Sequence, residues 1–325
     1  MSETPGMSSF YRNEAPKVTI EQALRLKRTD RDVFENEQEP FTWGGGTVVP
    51  GGVLMALAAA AAYETVSTDF AIDMLQAQFL LGPKPTPAMT MRVQRLNDGG
   101  RFASRIVSVE QERSVVCHVT CSFVRPSSLK NPSMTHYSRR ATTHEIQTIA
   151  IDDLDFGRTD LGPWMRFQRL SITQDGNEQA ATDHVAPENL VYTCAAHVVP
   201  LMTSTEAKLH ALGIIVLSDY HILDCPPHLH GKSLGQARIG DADREFFPTD
   251  FERCTSMNHS IHFHVHGEFR ADEMTYIEAR SPWAGQRRGY IESRIFTRTG
   301  LLIATCAQRA YYVLADISRK EKNKL

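Results

Sequence analysis

Residues 52–66 read GVLMALAAAAAYETV, and this stretch decides the fold. It is apolar nearly all round, which predicts a helix buried on every side. Its many alanines are small, so a sheet can wrap closely around it. Four strand-like runs follow it, at Ile72–Leu81, Ala88–Leu96, Phe102–Glu110 and Val115–Val124. One helix followed by antiparallel strands predicts an α+β domain in which a curved sheet packs one face on the helix.

The second half of the chain repeats this plan. A helix is predicted at Ala207–Leu217, and strand-like runs follow at Met257–His266, Met274–Ala279, Gly289–Thr297 and Leu301–Val313. Sliding the sequence along itself by 189 positions aligns Ser104-Arg105-Ile106 with Ser293-Arg294-Ile295, and Cys117 with Cys306, without a gap. Such internal repetition predicts two copies of one domain.

Residues that interrupt helices and strands, together with local composition, mark the segments around the two copies. A first strand is predicted at Asp32–Trp43, and we expect the central helices to begin near Pro50 and Thr203. The stretch from Arg125 to about Gly162 is rich in Ser, Thr, Pro and His and lacks periodicity, which is typical of a linker. The expected organisation is an N-terminal domain at 31–124, a linker at 125–162 and a C-terminal domain at 163–313.

The composition limits the classes of partner. With 325 residues, a formal net charge of −3 and a pI near 6.5, the chain has no basic footprint for nucleic acid or an anionic membrane. The six cysteines have no CxxC spacing, which indicates reduced thiols and an intracellular protein. The N-terminal residues lack the apolar segment of a secretory signal, and no apolar run is long enough to span a bilayer. Asn323-Lys324-Leu325 approximates the Ser-Lys-Leu peroxisomal address, so the expected location is cytoplasmic or peroxisomal.

Several stretches resemble the acyl-CoA thioesterase II family and occur in the family's order. They are QAQFLLGPKP (76–85), VQRLNDGGRFASRIVSVEQ (93–111), CSFV (121–124), PWMRFQRL (163–170), IIVLSDYHIL (214–223), SMNHSIHFHVHGEFRADE (256–273) and ARSPWAGQRRGYIESRIFTRTGLLIATCAQ (279–308). The resemblance implies two fused hotdog domains, each a curved antiparallel sheet wrapped around a central helix. It also implies hydrolysis of an acyl thioester, either acyl-CoA or a carrier-bound fatty-acyl or polyketide thioester, and assembly into homo-oligomers.

The family's water-holding residues fall on three positions of this chain, and the resemblance requires no cofactor and no metal. They are Asp219, Ser256 and Gln308. Asp219 ends the apolar stretch LGIIVLSD, where a carboxylate must find partners. Gln308 falls on Val119 in the ungapped slide, and a polar residue on a core strand also needs partners. Asn258 replaces the family's aspartate and His262 its usual tryptophan, so the acyl group is expected to differ as well.

Other patterns in the second half keep alternatives open. Gly231-Lys232-Ser233-Leu234-Gly235 fits the nucleophile elbow of α/β-hydrolases, which needs a strand before it and a helix after it. His262, His264 and His266 would share one face of a strand and could bind zinc, with His259 on the other face.

The same pocket could serve another function. A hotdog-fold lyase or cyclase acting on a polyketide-like substrate would use His259 or Glu64 as a general base. A non-catalytic acyl-binding protein is the other alternative, and the Asn258 replacement keeps it open.

Overall fold

The computed structural model describes residues 18–42, 48–130, 134–136, 160–162, 165–174, 185–219, 222–234 and 250–315. Its helices are α1 (Ile20–Ala23), α2 (Gly51–Tyr63), α3 (Ala207–Asp219) and α4 (Cys225–Leu229), with 3-10 turns at Pro126–Leu129, Pro187–Asn189 and Ile222–Asp224. The strands are β1 (Leu26–Asp30), β2 (Val33–Asn36), β3 (Ala71–Phe79), β4 (Thr90–Asp98), β5 (Phe102–Gln111), β6 (Ser114–Val124), β7 (Asp160–Gly162), β8 (Met165–Gln174), β9 (Leu190–Val198), β10 (Phe251–Phe263), β11 (Thr275–Gly285), β12 (Arg288–Thr297) and β13 (Leu302–Leu314).

Within these residues, thirteen strands form one antiparallel sheet in the order β1-β2-β4-β5-β6-β3-β10-β13-β12-β11-β9-β8-β7. The first six strands lie on one side of the β3–β10 junction and the last seven on the other. At the junction, Leu75 pairs with Ile261 and Ala77 with His259. Each half of the sheet surrounds one central helix, and the two helices also pack on each other. The predicted α+β fold of two fused hotdog domains is confirmed.

The central helices are buried as their sequences predict. In α2, Gly52 and every residue from Val53 to Ala62 are buried, because the helix contacts strands β3 to β6 on one side and α3 on the other. In α3, burial extends from His210 to Ser218. Both helices have 13 residues, and nowhere in the described ranges is a helix long and apolar enough to cross a bilayer.

The expected elements differ from the structure at several boundaries. The single first strand is instead a hairpin of β1 and β2, because Asp32 adopts a left-handed φ of 55° that turns the chain, a conformation Asp tolerates better than most residues. The second central helix begins at Ala207 rather than near Thr203, and β10 begins at Phe251, six residues before Met257. β7 lies inside the predicted linker. Trp43, most of the linker and Asn323-Lys324-Leu325 lie outside the described residues.

One glycine tests the packing of the central helices. A Cβ added to Gly213 of α3 would lie 2.6 Å from Cβ of Ala271 and 3.3 Å from Cγ2 of Val198. Gly213→Ala should therefore destabilise the protein by roughly 1–3 kcal/mol, although alanine is the better helix former by about 1 kcal/mol. The matched control is Gly100→Ala, since a Cβ there meets nothing within 4 Å. Chemical denaturation measures both, and a Gly213→Ala variant more stable than the wild type would contradict this packing.

Candidate active site

Three polar side chains from separate elements meet at the end of α3. Asp219 is the last residue of α3, Ser256 lies on β10 and Gln308 lies on β13. The Gln308 amide nitrogen donates to Asp219 Oδ1 at 2.5 Å and to Ser256 Oγ at 2.9 Å. The Ser256 hydroxyl donates to Asp219 Oδ1 at 3.3 Å. The fold therefore brings together all three residues named from the sequence.

A β-bulge in β10 makes this meeting possible. Ser256 pairs with Ala310 and Asn258 with Arg309, so Met257 is an extra residue with no partner on β13. In a regular strand Ser256 and His259 would point to opposite faces, because they are three residues apart. The bulge cancels this alternation. Ser256 contacts Asp219, and His259 is buried beside the same helix end.

The first half of the chain supplies the third hydrogen bond to Asp219. The backbone N–H of Gly52, in the first turn of α2, donates to Asp219 Oδ2 at 2.7 Å. A Cβ on Gly52 would lie 2.8 Å from the Val216 carbonyl oxygen, and one on Gly51 would lie 2.9 Å from Asp219 Oδ2. The two glycines therefore allow the close approach of α2 to α3. In the sequence, the glycine pair that opens a buried helix indicates a close approach, but it does not identify Asp219 as the partner.

The environment of Asp219 sets its proton affinity. Burial raises its pKa to about 6, while the hydrogen bonds from Gly52, Gln308 and Ser256 act in the opposite direction. Burial lowers the pKa of His259, which is 1% exposed, to about 4. At neutral pH Asp219 is therefore an ionised carboxylate that is more basic than an ordinary aspartate, and it lies next to a neutral imidazole.

A cleft of about 880 Å³ is lined in part by Asp219 and Ser256. Asp219, Ser256 and Asn258 lie on its polar side. Its apolar wall comes from both halves of the chain and includes Leu54, Phe79, Leu80, Leu223 and Leu234. An apolar cleft with one buried carboxylate suits a substrate that has a long apolar part and one reactive polar group.

The structure does not support the nucleophile elbow. Ser233 follows the short helix α4 and a turn rather than a strand, and its backbone N–H donates to Asp250. The segment therefore lacks the strand that must precede an elbow, and Gly235 lies outside the described residues.

The histidines do not form the three-residue face considered above, because β10 ends at Phe263, before His264 and His266. His264 instead lies 3.0 Å from the Thr305 hydroxyl. No group of three or more metal-binding side chains occurs in the part of the chain that the structure describes.

The equivalent position in the first half lacks this chemistry. β3 has the same bulge as β10, between Ile72 and Met74, which makes Ile72 the counterpart of Ser256. By the same register Cys121, rather than Val119, is the counterpart of Gln308. Gln308 lies two residues before Ala310, which pairs with Ser256, and Cys121 lies two residues before Phe123, which pairs with Ile72. The last residue of α2 is Tyr63, whose hydroxyl accepts a hydrogen bond from the Ile72 N–H. Of the two pseudo-equivalent sites, one carries the polar set.

The comparisons with known proteins agree with this architecture. The family model described as the acyl-CoA thioesterase N-terminal domain matches residues 40–124, and the model described as the C-terminal domain matches residues 126–312. Acyl-coenzyme A thioesterase 8 of Mus musculus is 23% identical over 315 residues, covering 90% of this chain and 88% of the relative. Acyl-CoA thioesterase 2 of Haemophilus influenzae is 23% identical over 298 residues, covering 88% and 93%.

Among solved structures, an acyl-CoA thioesterase II from Mycobacterium marinum has a TM-score of 0.66 at 19% identity, covering 92% of this chain and 98% of that one. A hot dog fold protein of unknown function from Alicyclobacillus acidocaldarius has a TM-score of 0.61 at 12% identity, covering 91% and 98%. At these identities the structures support the fold alone. Because the two family models match in order across most of its length, the chain belongs to the acyl-CoA thioesterase family and is an acyl-thioester hydrolase.

Proposed function

We propose that the protein hydrolyses an acyl-CoA with a water molecule held by Asp219, Ser256 and Gln308. The observation that carries the proposal is a buried carboxylate that faces an apolar cleft and accepts hydrogen bonds from both other residues. The naming of the two family models supports CoA as the thiol. A carrier-bound or polyketide acyl group remains a prediction from the sequence.

The proposed chemistry is direct attack by water. Asp219 accepts a proton from the water as its oxygen bonds to the thioester carbonyl carbon. The tetrahedral oxyanion then collapses, the carbon–sulfur bond breaks, and the thiolate leaves. The Ser256 hydroxyl and the Gln308 amide hold the carboxylate in line with the water, so no covalent intermediate is required. The N-terminal end of α2, which carries partial positive charge, contacts Asp219 through the Gly52 N–H, and we propose that it also stabilises the oxyanion.

The apolar wall of the cleft is the proposed acyl site. Leu54 and Phe79 lie beside Gly51 at the start of α2, so an acyl chain packed on them would lead its carbonyl toward Asp219. Burial of methylene groups supplies about 0.8 kcal/mol each, which favours long apolar chains.

The alternative bases of a lyase or cyclase have less support. His259 is outside the cleft lining and has a pKa of about 4, so it is a weak base. Glu64 is exposed at the end of α2. Asn258 stands where the family has an aspartate, and its side-chain oxygen accepts from the Arg309 N–H at 3.2 Å. The hydrogen bonds to Asp219 come from Gly52, Ser256 and Gln308, so the replacement leaves them in place.

Four expectations from the sequence complete the proposal. We propose domain boundaries at 31–124 and 163–313 with a linker at 125–162, and assembly into homo-oligomers. We also propose a cytoplasmic or peroxisomal location, and hydrolysis that needs neither a metal nor another cofactor.

Removing the proposed base should slow turnover. Asp219→Asn should lower kcat by ~10²- to 10⁴-fold, because general-base catalysis contributes that much. Gln308→Ala should lose less, since it removes a positioning contact, and the double variant should lose less than the two single losses combined. Thiol release from an acyl-CoA panel measures all three. Asp73→Asn is the matched control and should keep full turnover. Asp73 is the bulge residue of β3, and its side chain is 45% exposed. Full turnover by folded Asp219→Asn would contradict the assignment.

The pH dependence of kcat should follow the ionisation of Asp219. The base must be ionised, so kcat should fall as the pH drops through about 6, by up to about tenfold per pH unit below it. An ordinary aspartate would place this fall near 4. Initial rates between pH 4.5 and 8 at saturating acyl-CoA measure the profile, with unfolding monitored by circular dichroism in the same buffers. A kcat that stays flat down to pH 4.5 would be inconsistent with Asp219 as the base.

A further inference from the structure

His259 lies directly behind the three site residues. It pairs with Gln308 in the β10–β13 register, and its side chain is fully buried. The ring Nε2 lies 3.0 Å from the Ser218 hydroxyl oxygen, and the ring Nδ1 lies 4.0 Å from Asp219 Oδ1. The ring therefore bridges the end of α3 and the strand that carries Gln308, without lining the cleft.

Two buried atoms, one on His259 and one on Gln308, have no hydrogen-bond partner among the described residues. They are His259 Nδ1 and Gln308 Oε1. The Gln308 amide nitrogen already donates to Asp219 and Ser256. The amide oxygen Oε1 therefore faces away from these two residues, and it can only accept a hydrogen bond. A buried acceptor without a donor destabilises the folded protein, and a donor on the histidine ring would remove that cost.

Only one neutral form of the ring supplies that donor. The Ser218 hydroxyl has one proton, and two acceptors lie within its reach: the Ile215 carbonyl oxygen at 2.8 Å and the ring Nε2 at 3.0 Å. With the proton on Nδ1, the ring donates toward Gln308, and Nε2 accepts from the Ser218 hydroxyl, which then gives up its bond to the Ile215 carbonyl. With the proton on Nε2, a lone pair would face Gln308 Oε1 and the Asp219 carboxylate. The doubly protonated ring is disfavoured by burial, which lowers the pKa of His259 to about 4.

We propose that His259 is a positioning residue which, as a neutral ring protonated on Nδ1, fixes the orientation of the Gln308 amide. An amide can be flipped by rotation of its terminal bond, which exchanges its oxygen and nitrogen. A flipped Gln308 would present its oxygen to the Asp219 carboxylate and the Ser256 oxygen, and its nitrogen to the histidine. A donor at Nδ1 disfavours the flipped amide, because two N–H groups would then face each other. It therefore keeps the amide nitrogen on Asp219 and Ser256. This inference rests on the proposed function, because the orientation matters only if Gln308 helps to hold the water.

The kinetic test compares His259→Leu with His259→Asn. Leucine removes the donor, so kcat should fall by roughly 10- to 100-fold, the loss expected when a positioned group shifts by about 1 Å, with KM little changed. Because the Gln308 hydrogen bond lowers the pKa of Asp219, the midpoint of the kcat–pH profile should also rise. Asparagine places an amide nitrogen at the position of Nδ1, so it should recover most of the rate and the midpoint. His264→Leu is the matched control on the segment after β10 and should leave both unchanged.

A double-variant cycle separates positioning from a general structural role. If His259 acts through Gln308, adding His259→Leu to Gln308→Ala should lower kcat little further. Equal losses in both backgrounds would overturn the proposal. Should Asp219→Asn keep full activity, the proposed function itself fails. If Asp219→Asn is inactive while His259→Leu keeps the wild-type kcat and pH profile, only the positioning role is wrong.

A measurement on the unmodified protein removes any dependence on how the variants fold. Nitrogen-15 NMR of histidine-labelled protein distinguishes the two neutral tautomers, and the His259→Asn spectrum identifies the signal. We expect His259 to carry its proton on Nδ1 at pH 7. A proton on Nε2, or a charged ring, would overturn the proposal.

Discussion

The burial of the Asp219 carboxylate is the constraint on which the rest of the structure depends. An ionised carboxylate removed from water is costly unless donors surround it. Here the donors are the Gly52 N–H at the start of α2, the Ser256 hydroxyl on β10 and the Gln308 side-chain amide on β13. Asp219 also ends its own helix, where the partial negative charge of the carbonyls disfavours an anion. The donors keep it ionised at neutral pH, and the residual penalty makes it basic.

The duplication of the domain gives this arrangement its parts. One half contributes Asp219, Ser256 and Gln308, and the other contributes the start of α2 and the Phe79 wall. The site therefore lies where the central helices meet and requires both copies. The pseudo-equivalent residues are Tyr63, Ile72 and Cys121, none of which is a carboxylate. Two copies of one fold have thus diverged: one carries the polar set of the candidate site, and the other carries uncharged residues at the equivalent position.

Sequence reasoning found the parts of the fold that local pattern encodes. The apolar run of α2 and the alternating strands were predictable, because each buries a whole helix or one strand face. The three site residues came from the family resemblance, since no local pattern distinguishes Ser256 from any other serine. The bulge at Met257, the hydrogen bond from Gly52 and the place of His259 were not predictable. Each depends on register between distant strands or on the approach of two helices, which no short window contains.

The central claim is that Asp219 ionises near pH 6 in the folded protein, and the most direct measurement is its own titration. Carbon-13 NMR of aspartate side-chain carboxyls can follow each group from pH 4 to 8, and the Asp219→Asn spectrum identifies the signal. We expect a midpoint near 6, well above the usual aspartate value. A carboxyl that stays ionised down to pH 4, with its midpoint at or below the ordinary 3.8, would show that the donors outweigh burial and would contradict the account.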